Sequence, residues 1–317
     1  MTTIERIAAT AAPPPTRRAK RSPRRRSDAR AGYAFLSPWL LGFLLLTAGP
    51  MLASLYLAFT DYNLFRSPEF VGLDNFVRLF QDPRFLKSSQ VTALYVVIGV
   101  PLKLVAALAI AMLLNMRHRG AGFYRSAFYA PSLIGASVSI AIVWKALFVD
   151  GGIVDRIGQF FGQAPGGWLG NPSMTMPMMV LLGVWQFGAP MVIFLAGLKQ
   201  VPQELYEAAS VDGAGPVRKF LAITFPMLSP VLFFNLLLET INAFQVFSSA
   251  FIISGGTGEP ADSTLFYTLY LYIRGFTEFQ MGYASAMAWV LVLVVGAVTA
   301  VLFRSSRAWV HYGGDAR

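Results

Sequence analysis

Pro202-Gln203-Glu204-Leu205-Tyr206-Glu207-Ala208-Ala209-Ser210-Val211-Asp212-Gly213-Ala214-Gly215-Pro216 decides how this chain is to be read. It lies in a connection, residues 199–227, between two long apolar runs. Short connections of that kind are ordinarily polar loops, but this one carries helix punctuation. Pro202 suits the first position of a helix, and Gln203 and Glu204 follow in the first turn, where negative charge meets the positive end of the helix dipole. The sequence predicts a short helix over 202–210 that stops at Asp212-Gly213, a turn dipeptide. Pro216 opens a second start, after which Phe220 and Ile223 share a face at i, i+3. Ala208, Ala209, Gly213 and Ala214 gather at the elbow, where small side chains let a partner's backbone come close. On residues alone, two accounts stand: a docking elbow outside the membrane, or a well-capped hairpin packed on itself.

Outward from this stretch the chain is apolar. Its 317 residues are 55% hydrophobic and 13% charged, with a mean hydropathy of +0.54, whereas a soluble domain is roughly 25% charged. That excludes a water-soluble globular enzyme and a disordered protein. Crossing a bilayer takes about 20 mostly apolar residues, and six segments qualify, at about 33–59, 89–115, 123–148, 175–198, 228–252 and 283–303. Pro38 and Pro50 interrupt the first, which membrane helices tolerate. Gly282, Ala284, Ala286 and Ala288 in the sixth suit close helix packing. The expectation is an all-α integral membrane protein with six transmembrane helices over 33–305 and the structured loop 199–227 outside the bilayer. No cysteine is present, and the only histidines, His118 and His311, flank the spans. Thiolate chemistry is excluded, and little room is left for a histidine metal site; no metal-binding residues are expected.

The net charge of +10 is uneven. Residues 1–32 hold nine of the 26 Lys and Arg and read as a disordered basic tail, and residues 306–317 read as a short C-terminal tail. With both termini in the cytoplasm, inner segments hold 18 Lys and Arg and outer loops 6, a clear positive-inside bias. The basic balance thus marks orientation in a cell membrane, with membrane lipid as its surroundings, and is poor evidence for a nucleic-acid partner.

The loop pattern E-A-A-x-x-D-G-A, followed by F-x-x-I-x-x-P-x-x-x-P, is met at Glu207, Ala208, Ala209, Asp212, Gly213, Ala214, Phe220, Ile223, Pro226 and Pro230. It resembles the EAA motif of permease subunits of binding-protein-dependent ABC importers. Phe59-Thr60-Asp61-Tyr62-Asn63, Phe70-Val71-Gly72-Leu73-Asp74-Asn75-Phe76, Phe244-Gln245-Val246-Phe247 and Met281-Gly282-Tyr283-Ala284 resemble the maltose/glycerol-phosphate type of carbohydrate permease. The likeness runs from about residue 33 to 305. Two positions depart from the usual pattern: Ser248 stands where members often have Asp, and Thr257 follows Gly255-Gly256 where they often have Pro. The resemblance implies a type I ABC importer architecture with a cytoplasmic coupling helix. It implies that Glu207–Ala214 dock on a separate ATPase. The implied partners are a second homologous permease subunit, two ATPase subunits, an extracytoplasmic solute-binding protein and a carbohydrate. No cofactor is implied for this chain itself, ATP and Mg²⁺ belonging to the ATPase subunits; it is not expected to be an enzyme.

Polar residues inside the spans need a reason, because an ionisable group at mid-bilayer costs roughly 2.5–3.5 kcal/mol on insertion scales. At about 100° per residue, Asn235, Glu239, Asn242, Gln245 and Ser249 form one stripe on the fifth span. Two explanations are open: a hydrophilic path whose amides and carboxylate bond sugar hydroxyls, or hydrogen bonds between helices at a subunit interface. Asn242, Gln245, Glu239 and, beside Trp185 in the fourth span, Gln186 are the substrate-path candidates. Glu239 and Lys103 sit mid-span and are expected to pair. Lys145, near a span end, is expected to snorkel, with no role assigned. Leu265–Arg274 is too short to span, and its tyrosines suit either an interfacial belt or a surface that meets the binding protein.

Two other functions compete. An ion- or proton-coupled carrier would need membrane carboxylates, and Glu239 is alone. An intramembrane enzyme has no support: no H-E-x-x-H occurs and no histidine lies in a span. Nor is there a G-x-x-x-x-G-K-[ST] phosphate loop, so ATPase activity must come from another chain.

Overall fold

The structure, a computed structural model, describes residues 24–116, 120–135, 138–162 and 167–311, with side chains from residue 32 onward. The chain divides into two compact units, residues 1–53 and 54–317.

The first unit contains α1 (Arg24–Phe43), a wide π turn (Leu44–Ala48) and the start of α2 (Gly49–Leu57). Pro50 has no N–H to offer the preceding turn, and the ladder shifts so that Gly49 N–H reaches Leu44 O. Gly32–Leu57 is long and apolar enough to cross a membrane. Its side chains are exposed all round, Phe35 at 87% and Leu46 at 81%, as suits a helix solvated by lipid. The helix begins inside the expected tail: residues 24–32 are helical, where Ala29, Arg30 and Ala31 favour that state. Residues 1–23 lie outside the described residues.

The second unit continues with a small antiparallel pair, β1 (Thr60–Asp61) and β2 (Glu69–Phe70). Then come α3 (Asp74–Gln81), α4 (Pro83–Asn115), α5 (Ala121–Ile134), α6 (Val138–Phe148), α7 (Ile153–Phe160), α8 (Gly167–Gly170), α9 (Pro172–Trp185) and α10 (Gly188–Leu198). The chain closes with α11 (Gln203–Val211), α12 (Pro216–Lys219), α13 (Phe225–Phe244), α14 (Ser248–Ser254), α15 (Tyr267–Tyr272) and α16 (Met281–Trp309). A π turn at Phe220–Thr224, just ahead of Pro226, joins α12 to α13.

Among the described residues, four helical stretches without a sharp bend are long and apolar enough to cross a membrane: Gly32–Leu57, Pro83–Asn115, Pro216–Ser254 and Met281–Trp309. Two bent helix pairs pass the same test, so the count reaches the expected six when each pair is one span. The expected third span, 123–148, turns by 96° between α5 and the stretch beginning at α6, and the fourth by 45° between α9 and α10. The fourth bends because Pro190 has no N–H for the helix ladder and because Gly188 lets α10 press onto α5; a Cβ there would collide with Phe128 O and Ser132 Oγ. Ser132 compensates for the broken ladder, accepting from Ala189 N–H at 2.9 Å and donating to Gln186 O at 3.4 Å.

Central to this unit is α4, which packs against α9, α10 and α13. Ala107 and Ala111 are fully buried, and Leu104, Met178, Met191 and Phe194 fill the space between. At one end, the α16 helix runs beyond the expected span and into the expected C-terminal tail. Trp309 meets Phe233 edge-on at 6.1 Å, and His311 N–H donates to Ser229 Oγ at 2.8 Å. Residues 312–317 lie outside the described residues.

Candidate functional site

Three places concentrate polar chemistry: a cavity among the spans, the loop 199–227, and a cluster at the opposite end from that loop.

The cavity holds about 380 Å³ and is walled by α4, α9, α13 and α14. Lys103 on α4 donates to Glu239 Oε2 on α13 at 2.7 Å, with only 18% and 11% of the two side chains exposed. The expected pair is therefore formed, and its net charge is zero, which avoids the cost of a lone buried charge. Asn242, one turn on from Glu239, lines the same wall, and Gln186 faces it from the end of α9. Two glycines make the cavity polar by making room. Gly183 leaves space for the Tyr95 hydroxyl, and Gly135 leaves space for the Gln186 side chain.

The stripe predicted on the fifth span holds only in part. Asn242 and Glu239 face the cavity, but Gln245 is not among its lining residues. The reason is local: α13 ends at Phe244, and Gln245 leaves helical geometry at φ −107°, ψ 17°. A wheel drawn at 100° per residue fails beyond that point. Ser249 returns to the cavity on α14, while Asn235 is buried and bonds its own helix at Val231 O, 3.1 Å away. Lys145 does not snorkel. Its ammonium donates to Ile252 O at 3.0 Å, capping the last turn of α14 and tying α6 to it.

The loop 199–227 forms the predicted helix–turn–helix. Pro202 precedes α11 as its cap residue rather than opening it. Asp212 closes α11, and Gly213 takes φ +75°, a left-handed conformation that glycine adopts without strain. Ala214 N–H returns to Ala209 O at 2.9 Å, completing the turn. Tyr206 and Thr224 share a 2.8 Å hydroxyl contact, and Lys219 donates to Ser210 Oγ at 2.6 Å, which hold α11 against the following helix. Glu207, Ala208, Asp212 and Gly213 are exposed, and Ala209 and Ala214 are half-buried. Apolar Val211 and Val217 stand beside them, 89% and 71% exposed.

At the far end lies a cluster that sequence reasoning missed. Asp82 caps α4 through its Oδ1, which accepts from Arg84 N–H at 2.9 Å. Its Oδ2 accepts from the Tyr270 and Tyr283 hydroxyls and from Arg274 at 2.9 Å. Burial resists ionisation of this carboxyl, but the hydrogen bonds from Tyr270, Tyr283 and Arg274, with the guanidinium's charge, prevail and hold its pKa at about 2. Arg84 forms a two-point contact with Asp262, at 2.7 and 3.1 Å. The segment 265–274 is correspondingly not a tyrosine belt: Leu265, Phe266, Tyr267, Leu269 and Tyr270 are buried. Only its alternation of aromatic and aliphatic residues hinted at a core position.

The spans, the polar cavity between them and the exposed helix–turn–helix define a membrane permease. Over residues 83–310 the chain matches, and belongs to, the family described as binding-protein-dependent transport system inner membrane component. It is thus a multi-pass permease subunit of an ABC transporter, not an enzyme. It is 50% identical to the probable ABC transporter permease protein YesP of Bacillus subtilis, covering 92% of this chain and 96% of that one. It is 32% identical to the lactose transport system permease protein LacF of Rhizobium radiobacter (87% and 94% covered). It is 33% identical to the sn-glycerol-3-phosphate transport system permease protein UgpA of Yersinia pestis (78% and 83% covered). The fold is shared with a chain of a bacterial alginate ABC transporter solved in complex with an alginate pentasaccharide-bound periplasmic protein, at TM-score 0.75 and 22% identity, over 91% of this chain and 98% of that one.

Proposed function

We propose that this chain forms half of the translocation pathway of an ATP-driven importer for a carbohydrate, either a sugar or a related polyol or glycerol derivative. The observation that carries this is a single rod. Pro216–Ser254 runs without a sharp bend from the turn at Gly213 to the cavity wall at Glu239 and Asn242. At 1.5 Å per residue, Glu239 lies about 35 Å along it from Pro216. A push on the loop therefore reaches the cavity through a stiff element.

The exposed elbow Glu207, Ala208, Ala209, Asp212, Gly213 and Ala214 docks on a cytoplasmic ATPase subunit, one of two, which hold ATP and Mg²⁺. Closure of those subunits moves α11, and the rod shifts the α13 wall against α4, exposing the cavity to one side of the membrane and then the other. Asn242, Gln186 and Glu239 offer hydrogen bonds to hydroxyl groups; relatives named for lactose and sn-glycerol-3-phosphate support a polyhydroxylated cargo. A second homologous permease completes the pore, and a solute-binding protein delivers cargo to the end that carries Asp82. The excess of Lys and Arg in alternate connections supports cytoplasmic termini in the cell membrane.

Gly213→Asn tests the docking. Asparagine tolerates the left-handed conformation, and a Cβ at Gly213 meets nothing within 4 Å, so the turn survives. Membrane insertion should be normal, while copurification of the ATPase subunits and sugar uptake should fall at least tenfold. Full association with normal, vanadate-sensitive uptake would overturn the docking role. Uptake that resists vanadate but collapses with an ionophore would instead support an ion-coupled carrier.

A further inference from the structure

The short helix α7 is turned inside out. Its fully buried residue is acidic: Asp155 is 0% exposed, and its Oδ2 accepts from Gly151 N–H at 3.0 Å and from Gln159 Nε2 at 2.7 Å. The opposite side is apolar and bare, with Ile153, Ile157 and Phe160 spaced i, i+4, i+7 at 63%, 54% and 85% exposure, and Phe161 just beyond at 81%. A helix on a water-washed surface buries its apolar stripe and exposes its charges. Here the stripe points away from the protein, so whatever covers α7 is itself apolar.

Chain continuity says what that is. Only residues 149–152 separate α7 from Phe148 at the end of α6, and α6 and α7 together, Val138–Phe160, form the second arm of a bent pair apolar enough to cross a membrane. With that pair as one crossing, α7 is the end of its second arm, the part that meets the membrane–water interface. The exposed stripe also continues the bare apolar surface of that arm, where Ile142, Val143 and Val149 are 54%, 50% and 43% exposed. Arg156, exposed on the flank of the stripe, offers a positive charge that suits a phosphate headgroup.

We infer that α7 lies in the membrane interface with Ile153, Ile157, Phe160 and Phe161 inserted among the acyl chains of the leaflet opposite the coupling loop, its Asp155 side buried against the protein. Which leaflet that is rests on the proposed orientation; insertion itself does not. The helix then moors the bent crossing of α5 and α6, which no straight transmembrane rod anchors, to the bilayer surface.

The chain has no cysteine, so once any cysteines of the other subunits are replaced, single cysteines introduced for spin labels report without background. The assembled transporter is reconstituted in nanodiscs of phosphatidylcholine with phosphatidylglycerol and labelled at Ile157→Cys or Phe160→Cys. Ile142→Cys serves as the acyl-chain reference and Ser67→Cys, in an exposed loop, as the aqueous one. Collision rates with oxygen and with a water-soluble nickel chelate are then compared. The expected result at both α7 sites is oxygen access matching Ile142→Cys and several-fold higher than the chelate's. High chelate access, as at Ser67→Cys, overturns the inference in favour of water. Low access to both reagents overturns it in favour of a protein partner covering the stripe.

Discussion

The two ends of the bundle are built on opposite plans. Around Asp82 the polar groups are drawn inward: one carboxylate takes three side-chain donors and caps a helix, and the two tyrosines that supply two of those donors are themselves buried. In the loop 199–227 Glu207, Ala208, Asp212 and Gly213 face outward, and two side-chain hydrogen bonds, Tyr206 with Thr224 and Lys219 with Ser210, tie the two helices. The first end joins segments nearly 200 residues apart into one surface. The second leaves its surface bare. The first end derives its shape from contacts within the chain; the second presents its small and polar residues outward.

If that contrast is sound, mutations should divide by end. Asp82→Ala strands Tyr270, Tyr283 and Arg274 and removes a helix cap. The loss should be about 3 kcal/mol, seen as a lower melting temperature in detergent. A negligible loss would break the comparison. Between the ends, Lys103→Met leaves Glu239 unpaired in a cavity that admits some water, and should cost about 2 kcal/mol. Adding Glu239→Leu should return more than half of that loss, which separates pairing from simple packing. In the coupling loop, Tyr206→Phe deletes one neutral hydroxyl contact and should cost about 1 kcal/mol or less. Acid sharpens the contrast further. Because the folded-state pKa of Asp82 is depressed to about 2, its contribution is present above the unfolded carboxyl value of about 3.9 and is lost as pH falls through 2. Between pH 7 and about pH 4.5 its contribution to the melting temperature should not change, and Asp82→Ala should abolish the part of the acid transition below that range.

The coupling loop was legible because its determinants are neighbours in sequence. Asp212-Gly213 stops a helix through the backbone of those residues alone, and the structure places the turn there with Gly213 at φ +75°. Lys103 and Glu239 were legible for another reason: two opposite mid-span charges have few ways to be tolerated. Gln245 was misplaced because the period of a helix was carried past the point where the helix ends. Lys145 was misread because its acceptor, Ile252 O, is a backbone atom 107 residues away that hydropathy does not reveal. The Asp82 cluster was invisible for the same reason: Asp82, Tyr270, Arg274 and Tyr283 are brought together only by the packing of α4 and α16 around the segment between α14 and α16.

By itself, the sequence determined the apolar runs, their likeness to a permease family, the bias of positive charge and the elbow between α11 and α12, all of which depend on composition or on residues within one or two helical turns. Only the tertiary structure decided where the helices bend, which polar residues face the cavity and which donors gather round Asp82. Those outcomes depend on contacts between distant segments, where a glycine makes room for a neighbour's side chain or a carboxylate finds its donors, and no local period encodes them.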